Sequence, residues 1–156
     1  MNVQIVPLEP RHAAIVPRLR EADVEEIRAM TGMEPKIPLA FSIANADPGW
    51  AAEADGRVEA VFGVGPVANA HCLTGRPWLV GTDEVAKHPV MFYRLSRGIV
   101  DAMKARYDQL INWVDARNEL SIRWLKWLGF HIEDPEPMGV EGLPFHCFWW
   151  KTNEVS

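Results

Sequence analysis

The sequence predicts one α/β (α+β) domain, built on a mixed, mostly antiparallel central sheet with helices on both faces. Three observations predict it. Two strand-like runs flank Asp55-Gly56, a pair whose members both tolerate positive φ and so mark a tight hairpin. From Pro77 onward the pattern becomes a β-α-β-α-β succession, which places helices against a sheet. The 156 residues, 48% hydrophobic and 24% charged, suit a single core, so residues 1–156 read as one domain.

The elements follow in order. Val3 to Val6 alternates as a first strand. Helix runs from about Arg11 to Met30, divided by Pro17 into two pieces and stopped at Thr31-Gly32. Ile37 to Ala44 is a short amphipathic helix, and Asp47-Pro48-Gly49 is a turn. Trp50 to Ala54 and Val58 to Val64 form the hairpin. Gly65 to Arg76 reads as loop behind the Gly65-Pro66 breaker pair, and Pro77 to Val80 as a short apolar strand. Residues 81–87 lead into a long helix from His88 to Tyr107, with Pro89 suited to its first turn. Phe92, Leu95, Ile99, Ala102 and Met103 share one face of that helix; Arg94, Arg97, Asp101 and Lys104 share the other. Leu110 to Val114 is a strand. Asn118 to Leu128 is a helix, with Glu119, Arg123 and Lys126 outward and Ser121, Trp124, Leu125 and Leu128 inward; Trp127 reads as core beside Trp124. Phe130 to Ile132 and Phe145 to Trp150 are the last strands, joined by a Pro/Gly-rich connection.

Composition removes several function classes. A net charge of -5 argues against a general nucleic-acid binder, because phosphate contacts need a cationic surface. No basic-then-apolar leader and no apolar run of about 20 residues occurs, so the expectation is a cytoplasmic protein without a membrane segment. The two cysteines, Cys72 and Cys147, are expected to be reduced and buried. His71-Cys72 and His146-Cys147 suggest metal only weakly, since neighbours on a strand point to opposite faces; the expectation is no metal. No Gly-x-Ser-x-Gly elbow and no Walker loop is present.

The stretch Trp113-Val114-Asp115-Ala116-Arg117-Asn118, followed by Trp124-Leu125-Lys126-Trp127-Leu128-Gly129-Phe130, resembles the last motif of the Gcn5-related N-acetyltransferases, the GNAT family. There a strand ends in Asn, a helix follows, and Leu-Gly-Phe begins the next strand. Asn118 is a good N-cap, Gly129 stands where a helix end needs positive φ, and Phe130 plugs the core. Over Trp78 to Lys151 the chain is also similar to internal virion protein A of short-tailed phages. That resemblance rests on Trp78-Leu79-Val80, Thr82-Asp83-Glu84-Val85, Tyr107-Asp108, Ile122-Arg123 and Leu125-Lys126. It implies a role in virion assembly or host interaction, with a phage or host protein as partner and a place in the host cytoplasm or the virion.

The GNAT resemblance implies acetyl-CoA as cofactor, held along Leu79, Val80 and Gly81, with Arg94 near the diphosphate and Asn118 at the end of the next strand. An N–H of Val80 or Gly81 would polarise the thioester. Glu59 and His88 are the candidate bases, although a glutamate on a solvated strand face and a histidine at a helix start have ordinary explanations. Two features depart from the family. The loop expected to cradle the diphosphate carries Asp83 and Glu84, and after Gly81 no glycine follows until Gly98. Leu125 stands seven residues after Asn118, where many members place a tyrosine acid. The expected outcomes are a GNAT-like phage protein with degenerate acetyl-CoA chemistry or, alternatively, an active N-acetyltransferase acting on a small-molecule or protein amine. Trp149-Trp150 alternate in the last strand, so one ring should face out as a protein interface, with a second copy of the chain among the candidate partners.

Overall fold

The structure is a computed structural model that describes residues 2–153. Among them, strands β1 (Val3–Pro7), β2 (Gly49–Ala54), β3 (Arg57–Val67), β4 (Thr74–Gly81), β5 (Gln109–Asp115), β6 (His131–Met138) and β7 (Leu143–Lys151) build one sheet in the order β1-β2-β3-β4-β5-β7-β6. Neighbours are antiparallel except β4 and β5, which run parallel. Asp55 and Gly56 turn the β2–β3 hairpin at φ 52° and 81°, in the left-handed region the turn requires.

A 3₁₀ segment (Pro10–Arg18) precedes α1 (Glu21–Thr31). Pro17 lies inside the 3₁₀ segment, where it supplies no N–H to an α-helical ladder. Between the two helices Leu19 bridges to Thr82 at the end of β4. Gly32 ends α1 at φ 71°. Then come α2 (Lys36–Asn45), the short α3 (Asp83–Lys87), α4 (Pro89–Arg106) and α5 (Glu119–Trp127). One sheet face packs on α4 and α5 through Phe92, Ile99, Met103 and Trp124; the other packs on the 3₁₀ segment and α2 through Ile15, Leu39 and Ile43. Helices therefore cover both faces, as the sequence predicts.

Several local expectations change. Half of the stretch expected as loop at 65–76 is strand, residues 65–67 and 74–76: Gly65 pairs with Arg76 and Val67 with Thr74. Pro66 is tolerated because β2 pairs no further along β3 than Gly63, which leaves that edge free. Residues 83–87 are helical. The sixth strand is longer than expected and contains Pro135 and Pro137, which an edge strand accepts without losing ladder bonds. Trp127 is 51% exposed and edge-on to Tyr93, so only Trp124 of that pair is core. Ala102 likewise faces outward.

Candidate active site at the divergence of β4 and β5

β4 and β5 pair at Thr74–Gln109 and Gly75–Leu110 and then separate. Gly75 sits at the parting point because a Cβ there would come within 2.4 Å of Val64. Just beyond it the Asn112 amide donates to the Pro77 carbonyl at 2.8 Å. A wedge-shaped gap then opens through the sheet.

Ladder alternation fixes which amides face this gap. Thr82 N–H donates to the Glu59 carbonyl at 2.9 Å, so Glu59–Thr82 is a hydrogen-bonded pair and Val61–Val80, two residues on, is another. Val80 N–H is therefore used by β3. Leu79 and Gly81 direct their amides toward β5. Gly81 N–H donates to Asp23 Oδ2 at 3.0 Å, and Gly81 O accepts from Arg20 N–H at 2.9 Å. Neither amide expected to polarise a thioester is thus available; Leu79 N–H is the one that faces the gap.

The start of α1 bridges the open end of the gap. Asn118 accepts from Arg20 at 3.1 Å and donates to Asp23 at 3.2 Å and to Glu26 at 3.4 Å. Glu26 Oε1 also accepts from Asp115 N–H at 2.8 Å. Asn118 thus begins α5 without capping it through its side chain, which is committed to α1 instead. Burial pushes the carboxyls of Asp23 and Glu26 upward, Glu26 to about 8. At Asp23 burial outweighs the neighbouring Arg20 guanidinium, so both carboxyls favour the protonated form more than a free acid does.

A cavity of about 270 Å³ occupies the gap, walled by α1 and α2 on one face of the sheet and by α4 and α5 on the other. Leu79, Val80, Asn112 and Val114 line it at the strands. Among the described residues Glu26 is the sole ionisable one of its lining. Trp124, buried to 2% exposure, contributes an indole N–H that has no hydrogen-bond partner. Sequence reasoning missed Glu26. Its signal was the spacing Asp23, Glu26, Ile27, Met30, a helical i, i+3, i+4, i+7 face on which two acids ride with two apolar side chains.

The remaining candidates lie elsewhere. Glu59 is buried at 4% exposure, not solvated; it accepts from Arg18 and from the Thr82 hydroxyl, both at 2.5 Å. His88 begins α4, half-exposed, 3.7 Å from Glu84. Arg94 is exposed on α4. Leu125 lines the cavity, whereas the hydroxyls of Tyr93 and Tyr107 are bound to the carbonyls of Trp127 and Asp47. Cys72 and Cys147 are free and half-buried. Among the described residues no three His, Cys, Asp or Glu side chains gather as metal ligands, and no helix is long and apolar enough to cross a membrane. Trp149 stacks on His131 at 4.4 Å and donates to Glu133, while Lys104 lies over Trp150, so both rings are half-covered within the chain.

No protein-family model matches the sequence, and no curated protein does. Solved structures match its shape. A GNAT-family acetyltransferase from Streptococcus pneumoniae is 16% identical over 97% of this chain and 100% of its own, with a TM-score of 0.65. The chain has the GNAT acetyltransferase fold. The yncA protein of Salmonella typhimurium, solved with its cofactor acetyl-CoA, shares that GNAT fold at 16% identity, covering 99% of this chain and 96% of its own, with a TM-score of 0.68. A ribosomal-protein-alanine N-acetyltransferase from Brucella melitensis does so at 18%, covering 96% and 99%, with a TM-score of 0.68.

Acetyl-CoA, the cofactor solved with the yncA protein, would meet different surroundings here at its two ends. The gap, the Leu79 amide and the unpartnered Trp124 N–H suit an acyl-thioester arm. At the diphosphate end, Thr82 caps α3, Asp83 and Glu84 occupy its first turn, and Glu84 is paired with Lys87 at 3.0 Å. The space beside Gly81 is taken by Val85, 2.7 Å from where a Cβ would stand, so that glycine serves packing against Val85.

Proposed function

We propose that the protein is an acetyl-CoA-dependent N-acyltransferase. The observation that carries the reading is the parting of β4 and β5 into a cavity whose sole ionisable lining residue is Glu26. Acetyl-CoA, when bound, supplies an acyl group activated as a thioester. Leu79 N–H faces the gap and would be the donor that polarises a thioester carbonyl held there. In its ionised form, which a neighbouring ammonium favours, Glu26 takes a proton from that ammonium, and a carboxyl held up at about 8 by burial suits a base working near and above neutral pH. Glu59 and His88 are left with structural roles, the first holding Arg18 and Thr82, the second starting α4. Calorimetric titration with acetyl-CoA and a thiol-release assay with a panel of amines test the reading. Saturable binding and amine-dependent thiol release are expected; absence of both sinks it.

A second reading is favoured by Asp83 and Glu84 at the diphosphate end and by Leu125 in place of a tyrosine. In it the fold is a scaffold without acetyl-CoA chemistry, in a phage protein that acts in virion assembly or host interaction through a protein partner. The same titration separates the two, because this reading expects no acetyl-CoA binding.

A further inference from the structure

We infer that the acceptor is a small, apolar monoamine, one bearing a single ammonium and no carboxylate or phosphate. This deepens the acyltransferase reading and rests on it for the fate of the amine, though not for its binding. The cavity wall contributed by α1 and α2 carries the inference. An ammonium brought beside Glu26 favours its ionised form, and that single carboxylate is enough to pair one ammonium. Among the described residues no Lys, Arg or His lines the cavity, so the carboxylate of an amino acid or the phosphate of a nucleotide would be desolvated without a cation to pair it. A second ammonium, as in a polyamine, would also lack a partner.

The same wall is mostly apolar, with Ile27, Met30, Leu39 and Trp78 beside only two hydroxyls, Thr31 and Ser42. The Trp78 ring lies directly over Gly63, 2.5 Å from where a Cβ there would stand. That contact needs a glycine and seats the ring as a flat wall, suited to a hydrocarbon or aromatic body. The volume of about 270 Å³ lies at the small end of ligand pockets and must also admit an acyl arm. A polypeptide acceptor would bring backbone amides into an apolar wall that offers few partners.

Calorimetry on the full chain, without thioester, tests the inference with 2-phenylethylamine, 2-phenylethanol, phenylalanine and spermidine. The monoamine should bind roughly tenfold or more tightly than each of the others, because each comparison removes the ammonium or adds an unpartnered charge. Glu26→Gln should remove that advantage while the circular dichroism spectrum is unchanged. Met30→Lys, which sets a cation in the same wall, should weaken the monoamine by a similar factor. The ligand series on the unaltered protein decides the matter even if either variant folds poorly. Equal or tighter binding of phenylalanine or spermidine overturns the inference, as does no monoamine binding. Thiol release with peptides or amino acids but not monoamines also overturns it and leaves the acyltransferase reading standing. Monoamine binding without thiol release supports the inference and removes the acyltransferase reading.

Discussion

Asn118, at the start of α5, donates a hydrogen bond of 3.2 Å to Asp23 of α1, ninety-five residues earlier in the chain. The same side chain accepts from Arg20 and donates to Glu26, so one amide holds three charged or chargeable groups at the mouth of the β4/β5 gap. Removing it leaves buried groups without partners, which is more harmful than never having placed them there. Asn118→Ala should therefore destabilise the protein by about 2–4 kcal/mol. Urea denaturation followed by far-ultraviolet circular dichroism checks this; a loss below about 0.5 kcal/mol would contradict the arrangement.

Glu26 makes stability depend on pH in an unusual direction for a carboxylate. Its folded-state value of about 8 stands above the ordinary 4.5. The folded protein thus keeps a proton that the unfolded chain releases. The stability this confers is present in full below about pH 4.5 and lost as pH rises through about 8. Between about pH 5 and pH 8.5 the unaltered protein should lose on the order of 3–5 kcal/mol relative to Glu26→Gln. Thermal melts of the two across that range provide the comparison. Amine-dependent thiol release should rise with pH, reach half its maximum near pH 8 and level off above it, and be lost in Glu26→Gln.

Much of the fold could be read before the coordinates because local rules and tertiary packing agree. Asp55-Gly56 needs positive φ and has it; Gly129, at φ 91°, ends α5 as a glycine stop should. The β4–β5 gap was not legible, because divergence of two strands leaves no composition signal. Gly65-Pro66 misled in the opposite sense: a breaker pair marks a loop only where both edges of the strand would have been paired. Asn118 was read as a helix cap from its position alone. What decided its role was Arg20, Asp23 and Glu26, which only the folded chain brings to it. Glu26 itself was hidden by habit, since an acid on a helix is usually assigned to the solvent side.

Glu59 is expected to be structural. It holds Arg18 and the Thr82 hydroxyl at 2.5 Å each, away from the cavity lining. Glu59→Ala should destabilise by roughly 3 kcal/mol, because it strands a partly buried guanidinium and loosens the Thr82 cap. Thr82→Ala should cost about 1–2 kcal/mol, and the double variant less than the sum. In contrast to Glu26→Gln, Glu59→Gln should leave the pH profile of thiol release where it was.

Asp83 and Glu84 oppose an anionic ligand at the end of β4. Glu84→Lys should tighten acetyl-CoA binding severalfold at low salt, and the gain should shrink as ionic strength rises. Titrations at about 20 mM and about 300 mM salt measure it; an unchanged affinity would show that the diphosphate does not approach α3.

Trp78, Trp113 and Trp124 all line the cavity between the parted strands. The walls are therefore fluorophores as well as contacts. Filling the space with a molecule changes the polarity and the quenching that these indoles experience, and gives the Trp124 N–H something to bond. Whatever enters will shift the protein's own emission, so unlabelled protein in a cuvette can report occupancy of this site in real time, before any substrate is known.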